Sequence, residues 1–327
     1  MSLVISYYCE KDKEKWDDFV INQSMNGLFL QTRKFIEYHQ QGKYKDCSIC
    51  IKNGNALVGV VLGCEIIENG KKIFFSHKGT TYGGFCLSYN VYNTTQIERI
   101  LEEFHDFLKK ENFQQIVLKI VPPLYQKKNS DLIDYFLYKN NYSCYSELNF
   151  YLDLNNYRKN IVSQYSKGKR RDYRYSLENN LVFCQLEKER IKEFYRVLQL
   201  NQKKLNIKPV HTLDELMDLK YNRFEKNIYF YGVMYEDELI AGSMVFVFDD
   251  RVFHTQYLAS NPKFLYMFPM EFLITNLIQK AIERKIRFFS FGISTEQRGK
   301  YLNNGLSRFK EGFGAEYSIN RSYQFDL

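Results

Sequence analysis

The predicted order of helices and strands occurs twice along this chain of 327 residues, and this repeat constrains the fold more than any other feature. Apolar residues recur at helical or alternating spacing throughout both halves. The first half is predicted as strand, helix, helix, three strands, helix, strand, helix and strand, at residues 4–8, 16–20, 35–39, 47–52, 56–67, 72–77, 96–111, 115–120, 132–139 and 146–154. The same order returns at residues 181–186, 188–205, 213–224, 228–235, 238–248, 252–259, 269–284, 288–293, 306–309 and 316–325. The repeat predicts two halves of similar fold.

Tight turns join the three central strands of each half. Asn53-Gly54 and Asn69-Gly70 connect them in the first half. Asn-Gly favours a two-residue hairpin because both residues tolerate a positive φ. Glu236-Asp237 and Asp249-Asp250 stand at the corresponding places in the second half. Each half is therefore predicted to contain an antiparallel three-strand meander.

The length and the element order predict an α/β fold with a mixed sheet, divided into two tandem domains. The predicted boundaries are 1–155 for an N-terminal domain, 156–180 for a basic linker and 181–327 for a C-terminal domain. Most of the functional site is expected in the C-terminal domain.

A formal net charge of +8 suggests an anionic partner without choosing one. Phosphorylated sugars, coenzymes, tRNA and lipid headgroups all fit. No apolar run approaches the ~18 residues that span a bilayer, and no secretion signal is recognisable. A cytoplasmic protein is expected, and a peripheral contact with a membrane is compatible with the charge.

The common catalytic motifs of hydrolases and nucleotide-binding enzymes do not occur in the sequence. It has no G-x-S-x-G, no Walker A motif and no convincing metal cluster. Cys47 and Cys50 form a C-x-x-C without a second pair, so buried, reduced thiols are expected for them. This pattern favours direct attack by a bound amine over a covalent enzyme intermediate.

Residues 288–314 are the most informative stretch for function. An aromatic strand ends at Phe291-Gly292 and is followed by a polar loop with further glycines. A short amphipathic segment then presents Phe309 and Lys310 just before Gly312 and Gly314. Such a loop suits a polar or anionic ligand held near backbone N–H groups.

The element order resembles the GNAT acyltransferase fold, and the tandem arrangement resembles the FemAB-like proteins. These include the Fem-type enzymes, which add amino acids to peptidoglycan precursors, and related GNAT proteins of polysaccharide loci. In that group a strand that ends in Phe-Gly precedes a Phe-Lys-x-x-(Phe/Trp)-Gly segment. Here these are Phe291-Gly292 and residues 309–314. The resemblance implies two tandem GNAT-like domains, an acyl-CoA or aminoacyl-tRNA as donor substrate, and Phe309 and Lys310 at the substrate.

The chain departs from that group in two places. GNAT domains that use acetyl-CoA usually carry an R/Q-x-x-G-x-G/A loop, whose N–H groups hold the pyrophosphate. The corresponding segments, 77–85 and 260–269, do not match, and the second has no glycine. The family strand often has an acidic residue before Phe-Gly, whereas this chain has Ser290. The sequence therefore predicts no particular cofactor, and it does not identify the catalytic base.

Lys310 and His254 are the candidate catalytic residues. The lysine could contact substrate or stabilise a developing oxyanion, and the alternative is a solvated lysine on a short helix. His254 is predicted on a strand with Gln256 on the same face. An imidazole could remove a proton from an amine acceptor, with Gln256 binding the substrate. The alternative for His254 is a partly buried structural histidine.

Two further segments supply candidate substrate-binding residues. The segment 167–174 has five basic residues in eight positions, and Arg170, Arg171 and Arg174 suit phosphate. The alternative is a solvated basic face. Tyr82 and Gly83 begin a Tyr-Gly-Gly loop that could approach a ligand closely, or could be a plain turn.

These residues lead to three hypotheses for function. The first is an N-acyl or aminoacyl transferase that acts on an amino group of a cell-envelope or polysaccharide precursor. Its partner would be an anionic sugar or peptide precursor, with tRNA as a further candidate. The second is an acetyl-CoA-dependent N-acetyltransferase. The third is a noncatalytic module on the same scaffold that binds a ligand or tRNA.

Overall fold

The computed structural model describes residues 3–128, 131–157, 160–204 and 209–327. Residues 1–2 of the predicted N-terminal domain, residues 158–159 of the predicted linker, and Leu205 at the end of a predicted helix lie outside the described residues. The chain forms two compact units. The first comprises residues 1–146 and 319–327, and the second comprises residues 147–318.

The predicted helices and strands occur in the predicted order, and further short strands and one further helix lie between them. Those of the first unit are β1 (Leu3–Tyr7), α1 (Lys13–Asp18), α2 (Arg33–Ile36), β2 (Lys45–Asp46), β3 (Ile49–Asn53), β4 (Ala56–Leu62), β5 (Cys64–Glu68), β6 (Lys71–Phe75), β7 (Gly84–Leu87), α3 (Thr94–Lys110), β8 (Gln115–Lys119) and α4 (Asp131–Lys139). The next strand, β9 (Ser143–Asp153), begins in the first unit and continues into the second.

The second unit continues with α5 (Lys167–Ser176), β10 (Val182–Gln185), α6 (Ile191–Lys204), α7 (Leu213–Met217), β11 (Ile228–Tyr235), β12 (Glu238–Phe248), β13 (Val252–Ser260), α8 (Pro269–Glu283), β14 (Phe288–Ile293), β15 (Thr295–Glu296), β16 (Tyr301–Leu302), α9 (Asn304–Glu311) and β17 (Glu316–Asp326). The predicted basic linker, 156–180, lies within this unit, and α5 occupies its centre. The end of β17 belongs to the first unit.

In the first unit the strands form two groups. One has the order β1-β3-β4-β7, and the other has the order β8-β6-β5-β2, with residues 322–326 of β17 paired to β8. The predicted apolar stripe of α3 is buried in the core of this unit, together with side chains of both strand groups. The helix therefore packs its hydrophobic face inward, as its spacing predicts.

One strand prediction in this unit was wrong. Residues 56–67 were predicted as one strand, but it is interrupted at Gly63, where β4 ends and β5 begins. A Cβ at Gly63 would lie 2.3 Å from ring atoms of Phe74. The close approach of this ring requires glycine, and the chain passes there from one strand group to the other.

The second unit is built on strands in the order β10-β11-β12-β13-β14-β9. All neighbours pair antiparallel except β13 and β14, which are parallel and are connected through α8. The predicted turns are confirmed, because Glu236, Asp249 and Asp250 have φ values of 50°, 47° and 50°. A buried core of aromatic and aliphatic side chains lies under α8 and includes Phe253, Phe289 and Phe313.

Candidate active site

The parallel strands β13 and β14 separate partway along their length. They pair only from Val252 opposite Phe288 to His254 opposite Ser290. Beyond that point β13 remains paired with β12, and β14 remains paired with β9. Open sheets bind ligands where the carboxyl ends of parallel strands diverge. The gap between these strands is therefore the natural place for a site.

Irregularities in both strands lie at this separation. The pairing of β12 with β13 skips Gln256, and the pairing of β14 with β9 skips Phe291. Gly292 follows with a φ of 74°, a conformation that L side chains rarely adopt. Such bulges often redirect side chains next to active sites. The Phe-Gly pair of the sequence motif thus forms a bulge.

Lys310 projects from α9 into the protein rather than into solvent. Asn303 caps this helix by accepting a hydrogen bond from the Leu306 N–H at 3.0 Å. The lysine is only 2% exposed, and its Nζ donates to the carbonyls of Gly292 at 2.9 Å and Ile293 at 2.7 Å. Burial lowers the pKa of Lys310 to about 7. The solvated alternative is excluded, and the amine is poised to change charge near neutral pH.

His254 lies near this lysine and is the last residue of β13 that pairs with β14. Its Nδ1 is 3.2 Å from the Ser290 hydroxyl, which is also 3.4 Å from Oδ1 of Asn149. Burial lowers the pKa of His254 to about 4, and the charge of Lys310 acts in the same direction. The imidazole is therefore neutral at neutral pH, and its basicity is low.

A cavity of about 580 Å³ opens between the separated strands. Its lining comes from α5, α6, β13, the segment before α8, the start of α8, β14 and α9: Asp172, Leu198, Asn201, Gln202, Thr255, Gln256, Tyr257, Leu258, Ser260, Leu265, Phe268, Pro269, Met270, Glu271, Phe291, Ile293, Leu306, Phe309 and Lys310. The volume suits a small-molecule substrate or part of a larger one.

A buried ion pair borders this cavity. Lys169 of α5 forms an ion pair with Glu271 in the first turn of α8, and both side chains are largely buried. The Nζ of Lys169 also lies 4.4 Å from the ring centroid of Phe309 and 5.1 Å from that of Phe313. The lysine therefore ties α5, α8 and α9 together through charge and cation–π contacts.

The glycines after α9 serve packing. A Cβ at Gly312 would lie 2.7 Å from Cγ of Lys169, and one at Gly314 would lie 2.7 Å from the carbonyl oxygen of Gln164. The hydroxyl of Tyr157 donates to the Phe313 carbonyl at 2.8 Å. Gly312 thus leaves room for Lys169 of α5, and Gly314 leaves room for the segment that precedes α5.

The structure brings several of the predicted site residues together. Gln256, Phe309 and Lys310 line the cavity, and His254 is adjacent to its wall. The three arginines of α5 have exposed side chains: Arg170, Arg171 and Arg174. Arg171 pairs with Asp172 at 2.8 Å. Of these two residues, Asp172 lines the cavity and Arg171 does not. The substrate-binding roles of these residues stay predictions.

Tyr82 and Gly83 belong to the first unit and are buried within it. The hydroxyl of Tyr82 accepts a hydrogen bond from the Asn320 amide at 3.3 Å. A Cβ at Gly83 would lie 2.5 Å from the carbonyl oxygen of Ser76, so close backbone packing explains this glycine. Neither residue is among those that line the cavity of the second unit.

Sequence reasoning missed several polar residues of the cavity, among them Asp172, Gln202 and Glu271. Gln202 carried a usable signal, because it follows Leu198 by four positions on the apolar face of α6. Asp172 is the one acidic residue in a basic segment. Glu271 carried no signal, since an acidic residue in the first turn of a helix is ordinary.

Residues 155–311 match the family model described as acetyltransferase (GNAT) domain. The solved structures that resemble the chain include FemX, with a TM-score of 0.71 and 12% identity over 100% of this chain and 98% of that one. They also include the C-terminal domain of a putative lysylphosphatidylglycerol synthetase from Agrobacterium fabrum, with a TM-score of 0.61 and 11% identity over 96% and 91%. A comparison with curated protein sequences gives no match.

A tandem GNAT protein from the clavulanic acid biosynthesis pathway is similar too, with a TM-score of 0.55 and 9% identity over 99% of this chain and 98% of that one. The chain thus has the fold of the GNAT acyltransferases, with two tandem GNAT-like domains, as predicted. The resemblance to FemAB-like GNAT proteins that the sequence predicts is confirmed at the level of this fold. Within the described residues no helix is long and apolar enough to cross a membrane.

Proposed function

We propose that this protein transfers an acyl or aminoacyl group from an activated donor to an amino group of a cell-envelope or polysaccharide precursor. One observation carries the proposal: Lys310 is buried in the wall of a cavity of about 580 Å³, where β13 and β14 separate. The GNAT fold and the similarity to FemX support acyl or aminoacyl transfer as the class of reaction.

In the proposed reaction the acceptor nitrogen attacks the carbonyl carbon of the donor. A C–N bond forms, the carbonyl oxygen becomes an oxyanion, and the intermediate collapses as the bond to the ester or thioester leaving group breaks. The proton lost by the amine passes to the leaving group. The protein supplies positioning, exclusion of water and stabilisation of the oxyanion.

The position of Lys310 supports a role in stabilising this oxyanion. When protonated, its Nζ has three N–H donors, and two of them bind the carbonyls of Gly292 and Ile293. The third has no acceptor among the described residues, and the side chain lines the cavity. A fixed donor in a buried position stabilises negative charge more strongly than one in water.

The predicted role of His254 as a base remains part of this proposal. The imidazole is neutral at neutral pH and is therefore able to accept a proton, although a pKa of about 4 makes it a weak base. Its contact with the Ser290 hydroxyl fixes the ring beside the bulge at Gly292. Through the same contact His254 would also help to position the bulge.

Acetyl-CoA is the second candidate donor, and the description of the family model favours it. The N-terminus of α8 argues against it. Pro269 has no backbone N–H, and the buried carboxylate of Glu271 lies in the first turn, where a pyrophosphate would need cations and free N–H groups. The ester group of an aminoacyl donor carries no charge and meets no such repulsion.

The proposed acceptor is an anionic sugar or peptide precursor, linked to a nucleotide or a lipid. The exposed arginines of α5 support this choice, because a guanidinium binds phosphate through two N–H groups. The same arginines would also bind the backbone of a tRNA donor. Association with tRNA would then weaken steeply as the salt concentration rises.

The test compares Lys310→Met with Lys192→Met, which changes an exposed lysine on α6. Both proteins are assayed by mass spectrometry with acetyl-CoA or aminoacyl-tRNA as donor and amino-sugar acceptors. We expect the first variant to lose roughly 100-fold in turnover, and the control to keep full activity. Unchanged turnover and acceptor affinity in Lys310→Met would remove this lysine from the site. A thermal shift with coenzyme A would favour the acetyl-CoA alternative.

A further inference from the structure

Gln202 lines the cavity and has a buried amide oxygen that no described residue satisfies. The side chain is 8% exposed and lines the cavity from α6. Its Oε1 has no hydrogen-bond donor among the described residues. A buried amide oxygen without a donor is costly, and such groups in native proteins call for an explanation. A ligand group that donates hydrogen bonds would remove the cost.

Two carboxylates line the same cavity. Glu271 is 7% exposed and pairs with Lys169, while Asp172 is half-buried and pairs with the exposed guanidinium of Arg171. An exposed pair such as the second gains little energy and is screened by salt. The carboxylate of Asp172 therefore remains available to attract a cation.

An acceptor oxygen together with carboxylates selects one kind of ligand group. An ammonium group carries positive charge and several N–H donors, so it satisfies Gln202 and is attracted by Asp172 and Glu271. A phosphate or carboxylate would be repelled by both acids and would offer no proton to the amide. A hydroxyl would satisfy Gln202 but would make no use of the two charges.

We propose that Gln202, Asp172 and Glu271 form a subsite for the ammonium group of a substrate. This inference rests on the proposed function, since both substrates of that reaction can carry such a group. The ammonium belongs either to an aminoacyl donor or to the amino-sugar acceptor. The first source places the donor's α-amino group in the cavity, and the second places the acceptor's ammonium group there, which becomes the nucleophile once it has lost a proton.

The two sources are distinguished by binding measurements with four probes. Puromycin mimics the aminoacylated 3′ end of a tRNA and has a free amino group, whereas N-acetylpuromycin has none. Glucosamine and N-acetylglucosamine form the matched pair for the acceptor. Tighter binding of puromycin than of its acetylated form assigns the subsite to the donor, and the same preference for glucosamine assigns it to the acceptor. Equal binding within both pairs overturns the proposal.

Gln202→Met tests the residue itself, with two readouts that move in opposite directions. Methionine has a similar volume and no acceptor that needs a donor, so the ligand-free protein should gain about 2–4 °C in Tm. The preference for the free amino group should fall roughly tenfold. A residue kept only for structure would lose stability on substitution. Gln279→Met, on the exposed side of α8, is the control and should change neither quantity.

Failure of this inference is separable from failure of the proposed function. If transfer activity is found but Gln202→Met binds every probe as the parent protein does, the subsite is wrong and the acyltransferase proposal stands. If the probes show the amino-group preference but no donor supports transfer, the subsite stands and the catalytic proposal falls.

Discussion

Lys310 combines two properties that oppose each other at the scale of a single residue. Its position in the cavity wall requires burial, and burial favours the neutral amine over the ammonium. The carbonyls of Gly292 and Ile293 accept hydrogen bonds from either form. The lysine is thus held in one place through both charge states. Its lowered pKa makes its charge sensitive to small changes of pH near neutrality.

This lysine should leave a signature in the pH dependence of stability. Its pKa is about 7 in the folded protein, against 10.5 for an ordinary solvated lysine, so between these values the unfolded chain binds more protons. The free energy of unfolding should therefore rise with pH across this window, by up to about 1.4 kcal/mol per pH unit from this residue. In Lys310→Met that contribution is absent. Urea titrations of both proteins at pH 7.5 and pH 9 measure the difference. If the free energy of unfolding changed equally with pH in both proteins, the lowered pKa would be contradicted.

Gly314 and Gly305 offer a matched pair of glycine substitutions. Gly314 has a φ of 83° and no room for a Cβ, whereas a Cβ at Gly305 meets only Oδ1 of Asn303 at 3.6 Å. We expect Gly314→Ala to cost about 2 kcal/mol or more, because it combines an unfavourable conformation with a backbone clash. Gly305→Ala lies in α9 and should leave stability unchanged or raise it by up to about 1 kcal/mol. Chemical denaturation measures both, and equal effects would refute the packing role of Gly314.

At the residue scale the sequence predicts which residues belong to the site better than it predicts how those residues are buried. Phe309, Lys310 and Gln256 were found from a motif and from strand alternation, and all three line the cavity. The burial of Lys310 could not be found, because a lysine on a short amphipathic helix is usually solvated. Gln202 could have been found, since a polar residue on the apolar face of α6 requires a partner in the interior.

At the scale of elements, the site depends on how three helices meet at the separated strands. α5 was predicted as part of a basic linker, and its exposed arginines agree with that composition. Its one strongly engaged cation is Lys169, which reaches Glu271 on α8 and the aromatic rings of α9. The contact is set by tertiary packing, which local charge patterning does not reveal.

Removal of one partner of this ion pair should be costly. Lys169→Met leaves the carboxylate of Glu271 buried and uncompensated, and we expect a loss of about 3 kcal/mol in the free energy of unfolding. The double variant Lys169→Met, Glu271→Met should recover most of this loss, because an apolar pair has no desolvation penalty. Urea denaturation of the single and double variants measures the coupling. A double variant as unstable as Lys169→Met would show that the lysine acts through packing alone.

The strands of the second unit were predictable as elements, but the site between them was not. The alternating pattern places β13 and β14 correctly to within a residue or two. The point where they separate depends on the skipped residues Gln256 and Phe291. Alternation of apolar residues does not encode such bulges. The one feature of this bulge that the sequence shows is the glycine at position 292, which adopts a positive φ.

At the scale of the whole molecule, the chain returns to its first unit after completing the second. Residues 319–327 belong to the first unit, where Ser322–Asp326 pair with β8 and Tyr323 donates a hydrogen bond to Asp134 at 2.7 Å. The first unit is therefore assembled from both ends of the chain. The predicted domain boundaries at residues 155 and 180 assign residues 319–327 to the C-terminal domain and do not describe this return.

This return predicts that loss of the C-terminus affects the first unit. Removal of residues 321–327 leaves one edge of β8 unpaired. It also exposes the core side chains that pack against Tyr323, while Asn320 keeps its hydrogen bond to Tyr82. We expect faster hydrogen exchange in β8 and its neighbour β6, with little change in β12 of the second unit, since opening in proteins proceeds by local cooperative segments. Tyr323→Phe, which removes only the hydrogen bond, should give a smaller effect of the same kind. Equal acceleration in β8 and β12 would show that the C-terminal segment supports both units rather than the first alone.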